Sequence, residues 1–185
     1  DQELAYQLRD EFIPGAARFL TVGKGIAATP IAGPPGEARL GIPYGARTEA
    51  QGRTYVRELK ARGVHFVKIW VDDRNGTVPK VQPSVYRAII AEAHADGMEV
   101  LVHLSRTSGL ADAKDLLKAG VDGFVHTVRD RDVDEEYLSL VKAHPKTWTG
   151  PNIPVPSTRS TVDSLAETLP ANQIARLRAD LDERQ

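Results

Sequence analysis

Val64-His65-Phe66-Val67-Lys68-Ile69-Trp70-Val71 is a β-branched and aromatic run of strand length with a lysine in its middle. Lysine is among the residues least often fully buried unless something pairs with it. Two later apolar runs repeat the pattern with histidine near their ends: Glu99-Val100-Leu101-Val102-His103-Leu104 and Gly123-Phe124-Val125-His126-Thr127.

The strand at 64–71 is followed by a polar loop at 72–82 and a helical pattern at 83–96, with Val85, Ile89, Ile90 and Ala93 facing inward. Gly97 ends that helix. A strand at 99–104, a helix at 109–119 (Leu110, Ala113, Leu116 and Leu117 inward) and Gly120 repeat the unit. A strand at 121–127 and a helix at 133–143 (Val133, Tyr137, Leu140 and Val141) repeat it again, and a short strand follows near 147–149. Upstream, Thr48 caps a helix running to about residue 62, with Tyr55, Val56 and Leu59 on its inner face. Residues 2–12 have helical spacing, with Leu4, Leu8 and Phe12 four apart, stopped by Pro14 and Gly15. Arg18–Val22 reads as a short strand, and 23–45, rich in Gly, Pro and Ala, as one long loop of the kind that is functional or disordered. Residues 151–156 read as loop and 172–182 as the last helix.

Regular alternation of strand and helix predicts an α/β fold with parallel strands and right-handed crossovers. The strands are near-continuous apolar runs, as expected where both faces of a sheet are covered. About five strands are predicted, whereas a closed eight-stranded barrel takes about 250 residues. At 185 residues the chain is therefore one domain, 1–185, built either as an open doubly wound sheet or as part of a barrel.

Composition excludes several function classes. A formal net charge of −1 offers no basic field for nucleic acid or an anionic membrane. The absence of cysteine removes disulfides and thiolate zinc sites and fits a reducing, cytoplasmic setting. No apolar run approaches the roughly 20 residues of a membrane helix. The chain opens on Asp1 rather than methionine, which fits processing or truncation. Gly23-Lys24-Gly25-Ile26-Ala27-Ala28 matches a loose dinucleotide-binding pattern, but Pro30 and the prolines after it prevent the helix that pattern needs.

Sites in parallel α/β folds lie at the carboxyl ends of the strands. His103 and His126 are near such ends, and Lys68 is at a depth from which its side chain reaches toward them. Imidazole suits zinc among other metals. An ammonium has no lone pair, so Lys68 joins a metal site only when deprotonated or converted by carbon dioxide to a carbamate. Each residue also has a plain structural role open to it: a hydrogen-bonded core histidine, or a lysine that snorkels to the sheet edge. His65 falls on the face opposite Phe66 and Lys68. His94 near a helix end, Asp122 before a strand and Asp134 at a helix start read as structural. His144 is uninformative. Asp72-Asp73-Arg74-Asn75-Gly76-Thr77 reads as a turn on the rim, and Arg129-Asp130-Arg131-Asp132 as a solvated charge run.

Val67-Lys68-Ile69-Trp70-Val71-Asp72-Asp73, Ala91-Glu92-Ala93-His94-Ala95-Asp96-Gly97, Val102-His103 and Ala119-Gly120-Val121-Asp122-Gly123-Phe124-Val125-His126 resemble the amidohydrolase superfamily, in its imidazolonepropionase-like and Xaa-Pro dipeptidase-like branch. The resemblance implies a partial (β/α)8 TIM-type barrel and one or two divalent metals, often zinc. It implies that Lys68, His103 and His126 are metal ligands, with Lys68 at the carbamate position. It also implies a metal-bound hydroxide that attacks an amide, ester, lactone or phosphoester bond of a small-molecule substrate. The superfamily's His-x-His pair is absent from this chain, and its metal-binding aspartate of the eighth strand has no counterpart, so the general base is open among Asp72, Asp73 and Asp130. The match covers the middle of such a barrel. Its uncovered edges predict a homo-oligomer, and the alternative role is a non-catalytic barrel fragment serving as a binding or assembly module.

Overall fold

The computed structural model describes residues 2–33, 42–150, 162, 163, 165 and 169–182. The prolines at 34 and 35 and the loop expected at 151–156 lie outside them. The chain divides into two compact units, 1–151 and 152–185.

The first unit is built on six strands: β1 (Ile26–Ala27), β2 (Tyr44–Gly45), β3 (Phe66–Val71), β4 (Glu99–Leu104), β5 (Gly123–Phe124) and β6 (Trp148–Thr149). They form one sheet in the order β2-β1-β3-β4-β5-β6, and every pairing is parallel. Its helices are α1 (Gln2–Asp10), α2 (Glu49–Ala61), α3 (Pro83–Ala95), α4 (Gly109–Lys118) and α5 (Glu135–Ala143). In the second unit, α6 (Ala171–Asp182) carries Ile174, which packs with Val162, Leu165, Leu169 and Leu177.

The expected helices form where their capping residues and inward faces place them. Thr48 accepts a hydrogen bond from the Gln51 amide while Gln51 reaches back to the Thr48 amide, a reciprocal cap that satisfies donors the helix cannot. Gly97 and Gly120 take φ of 70° and 86° after α3 and α4, a left-handed turn that glycine makes without strain. Val56, Leu59, Val85, Ile89, Ile90, Ala93, Leu110, Ala113, Leu116 and Leu117 are all buried, as their spacing predicts.

Three expectations are corrected. Residues 18–22 are not a strand, and Phe19 and Leu20 stay exposed. The first two strands lie instead inside the predicted loop, because Ile26 finds partners in Tyr44 and Ile69, whereas a strand at 18–22 has no neighbour to pair with. At α1 the buried residue is Tyr6; Leu4, Leu8 and Phe12 face outward. Helix α5 has no fully buried residue: Tyr137 and Leu140 pack partly against the core, while Val133 and Val141 are exposed.

The fourth difference decides the architecture. The strands are not buried on both faces. Val67, Ile69 and Val71 of β3 and Val100, Val102 and Leu104 of β4 are at most 1% exposed, in one cluster with side chains of α2, α3 and α4. The alternate residues Phe66, Lys68, Trp70, Leu101 and His103 are only half-buried. Helices thus cover one face and leave the other open, as on a segment of barrel wall and not in a doubly wound sheet.

Helices α2 and α3 approach through Gly52, where an added Cβ would lie 2.8 Å from Cγ1 of the fully buried Ile89. Alanine gains about 1 kcal/mol of helix propensity over glycine, but overpacking a core contact costs about 1–3 kcal/mol. Gly52→Ala is therefore expected to lower stability by about 1 kcal/mol in urea denaturation, against the propensity trend.

Candidate metal centre

The β3–β4 pairing sets the site. Phe66 pairs with Glu99 and the register continues to Val71 with Leu104, so Lys68 lies beside Leu101 and Trp70 beside His103. Period-two geometry keeps Lys68, Trp70, Leu101 and His103 on the open face. Strand β5 pairs Val102 with Phe124. Its ladder ends there, and His126 lies just past the carboxyl end.

The structure brings the two histidines together. The His103 and His126 ring centroids are 4.5 Å apart and nearly perpendicular. His103 Nε2 meets Asp72 Oδ2 at 3.2 Å, and the Arg74 amide donates to Asp72 Oδ1 at 2.9 Å. The His103 hydrogen bond, chief among the stabilising contacts, holds the Asp72 carboxyl below its ordinary value. With Nε2 engaged by the carboxylate, Nδ1 is the His103 nitrogen left to meet a cation.

Lys68 shares the face but not that contact. Its Nζ donates to the Ile69 carbonyl at 3.0 Å and sits 4.6 Å from the centre of the Trp70 ring. Neither interaction supplies a counter-charge. Burial pushes its pKa down to about 7, which brings the neutral, nucleophilic amine within reach at neutral pH. Trp70 is held in turn by Gly25, where any side chain would collide with the indole.

The other candidates separate. Asp73 Oδ1 accepts from Ser105 Oγ at 3.4 Å and Thr107 Oγ1 at 3.3 Å, which ties the β3 and β4 loops together. Asp130 is not part of a solvated run: its side chain is 3% exposed and accepts from the Leu110 amide at 2.9 Å, in the first turn of α4. That contact satisfies a helix donor that has no intrahelical partner. Asp122 accepts from the Val100 amide at 2.7 Å and meets His94 Nε2 at 2.8 Å, a structural tie as expected. Asp134 caps α5 through the Tyr137 amide, His65 is exposed, and 74–77 is a turn.

Among the described residues, no group of three or more His, Cys, Asp or Glu side chains is arranged to hold a metal ion. The donor chemistry nevertheless suits one: two touching imidazoles, with one ring oriented by a carboxylate and a depressed-pKa amine on the same face. Sequence reasoning named these three residues. It left out the Asp72–His103 bond, whose only signal was an aspartate directly after a site strand, and it assigned Arg129 to the solvent.

No family model matches the chain, and no curated protein matches it. Among solved structures, a Xaa-Pro dipeptidase with methionine bound in its active site aligns at 24% identity and TM-score 0.59, over 88% of this chain and 41% of its own. A prolidase complexed with N-methylphosphonate-L-proline aligns at 20% identity and TM-score 0.54, over 90% and 43%. An amidohydrolase structure matches at 25% identity and TM-score 0.49, over 80% and 36%. This chain thus spans about two-fifths of the length of the first two. None of the described helices is long and apolar enough to cross a membrane.

The depressed lysine pKa has a definite sign. Unfolding returns Lys68 to about 10.4, so between about pH 7 and 10.4 the unfolded chain binds more protons, and stability rises with pH across that window. Lys68→Met should remove that rise and be roughly 1–3 kcal/mol more stable than the parent at or below pH 7, by denaturant melts at stepped pH. A flat parent profile would contradict the burial of an uncompensated amine. The chain carries part of the barrel fold seen in the Xaa-Pro dipeptidase and prolidase structures, and the amidohydrolase resemblance read from its motifs holds at the level of that fold.

Proposed function

We propose that this chain is part of a metal-dependent hydrolase acting on an amide, ester, lactone or phosphoester bond of a small molecule, with Lys68, His103 and His126 holding a divalent cation, zinc by donor type. The observation that carries the reading is the 4.5 Å contact between His103 and His126 on the open sheet face that also bears Lys68. An amide is favoured within that set, since two of the aligned structures are a dipeptidase and a prolidase.

A divalent cation would supply Lewis acidity to the scissile bond and make a water molecule more acidic. The protein's own groups prepare the place. Asp72 fixes the His103 ring and its tautomer through Nε2. Phe66, Trp70 and Leu101 give the face an apolar floor that limits water and strengthens the electrostatic interactions above it. Lys68 contributes the lone pair of its neutral amine. With carbon dioxide, the amine nitrogen forms a bond to carbon and releases a proton, which leaves a carboxylate-like carbamate. Asp72 is the aspartate closest in role to a general base, because it already contacts His103.

The half-covered sheet also supports a homo-oligomer. Trp148 on β6 and Leu138 and Val141 on α5 are each 38–43% exposed, apolar surface that a second copy would cover. Sedimentation velocity at micromolar concentration should show a dimer or larger species, and Trp148→Glu should shift it to monomer. A monomeric parent would remove this part of the proposal.

Calorimetric titration of the chelator-treated chain is expected to give about one zinc per chain. His103→Ala should abolish uptake, and Asp72→Ala should weaken it about 10–100-fold through loss of ring orientation. A folded chain that takes up no zinc at micromolar concentration would replace the hydrolase with the alternative, a non-catalytic binding or assembly module.

A further inference from the structure

His103 and His126 are held differently. His103 lies within the β3–β4 ladder. His126 lies past the β5 pairing, which ends at Val102 with Phe124, and the Val125 amide donates to the Val102 carbonyl at 3.0 Å just before it. The loop that follows therefore takes part in setting the 4.5 Å contact between the two rings.

Asp130 fixes that loop. It follows His126 by four residues, and its side chain is 3% exposed although the run 129–132 alternates charges as a solvated segment would. Oδ1 accepts from the Leu110 amide at 2.9 Å, and Oδ2 accepts from Arg131 Nε at 3.1 Å. A carboxylate is costly to bury unless it is paired and hydrogen-bonded, and here both oxygens are engaged. Val128, between His126 and Asp130, packs against the core. Across the contact, Gly109 opens α4, and a Cβ there would lie 3.0 Å from Asp130 Oδ1. The carboxylate thus reaches the Leu110 amide over space that a side chain would crowd. The receiving end is tied to His103 in turn. Residues 105–108 connect β4 to α4, and three of these four are anchored. Ser105 is 1% exposed and its Oγ accepts from the Thr107 amide at 3.2 Å. Thr107 Oγ1 donates to Asp73 at 3.3 Å, and Ser108 Oγ donates to Asp112 at 2.7 Å while it accepts from Lys80 at 3.0 Å.

We propose that Asp130 is a positioning residue of the candidate metal centre: by anchoring the β5 loop to the first turn of α4, it holds the His126 ring against His103. The inference deepens the hydrolase reading and rests on it only for what the two rings bind. Asp122 provides a comparison within the same fold. It too is a carboxylate that accepts a backbone amide, that of Val100 at 2.7 Å, but at the amino end of β4, opposite the histidines. Loss of either tie should cost stability, and only loss of the Asp130 tie should move the rings.

The test uses the full 185-residue chain, freed of metal by chelation. Proton NMR reads the nuclear Overhauser effect between the His103 and His126 rings, assigned by its loss in His103→Ala, and calorimetry reads zinc affinity. The parent should show the ring-to-ring signal. Asp130→Ala should lose it and weaken zinc binding about 10–100-fold, as for other groups that orient metal ligands. Asp130→Asn, which keeps an oxygen for the Leu110 amide, should retain most of both. Gly109→Ala should weaken both by a smaller factor, although alanine is the better helix former. Asp122→Asn should lower stability in urea and leave the signal and the zinc affinity as in the parent. A parent without the signal, an unchanged signal in Asp130→Ala, or an equal loss in Asp122→Asn would each overturn the proposal. If Asp130→Ala does not fold, Gly109→Ala decides, and an unchanged signal there overturns it. The signal is read without metal, so a chain that takes up no zinc overturns the hydrolase reading while the ring contact still decides the role of Asp130.

Discussion

The pairing of β3 with β4 is the constraint on which everything else depends. It is the longest ladder in the sheet, six residues against six, and it is parallel. A parallel pair fixes which residues share a face, and a slip of one position would turn every side chain over. With the observed register, Val67, Ile69, Val71, Val100, Val102 and Leu104 go under the helices, and Lys68, Trp70 and His103 go to the open face. Burial of the first set holds the second in place. Among the site residues, the charged lysine opposes stability.

That arrangement concentrates charge where chemistry is proposed. Lys68 has an indole and a carbonyl as its partners, and burial brings its pKa near neutrality. His103 has a carboxylate at one ring nitrogen and a second imidazole against its ring. Arg129 has a buried donor with no acceptor. Groups whose environments disagree with their charge mark functional sites more often than structural ones. Elsewhere the same residue types are matched: Asp130 with a helix amide, Asp122 with His94 and the Val100 amide, Glu92 with Arg53 and Arg57. The contrast between satisfied and unsatisfied polar groups outlines the site.

The open face has a second consequence. In a closed barrel, side chains from all the strands fill the interior. Here the six strands form one wall, and Phe66, Lys68, Trp70, Leu101 and His103 are half-buried on the face that α2, α3 and α4 do not cover. The structures that share the fold are more than twice as long as the part aligned. The proposed metal ligands all come from this wall, so the proposed centre is testable on this chain.

Periodicity and capping signals in the sequence determined the helices α2, α3 and α4, the parallel strands between them and the three polar residues worth following. These are local properties: a 3.6-residue repeat, a Thr48–Gln51 cap and a glycine at a helix end are legible without knowing the fold. The short strands β1 and β2 were not legible, because a two-residue strand exists only through its neighbours, and Ile26 needs Tyr44 and Ile69. Nor was it legible that one sheet face stays open, since an apolar run such as Phe66–Val71 looks the same whether helices cover both faces or one. The pairing of Asp72 with His103 and the capture of Asp130 by α4 join residues 31 and 20 positions apart respectively. Partners across such separations are chosen by packing in three dimensions, so only the tertiary structure decided which charges are spent on the fold and which remain for a ligand.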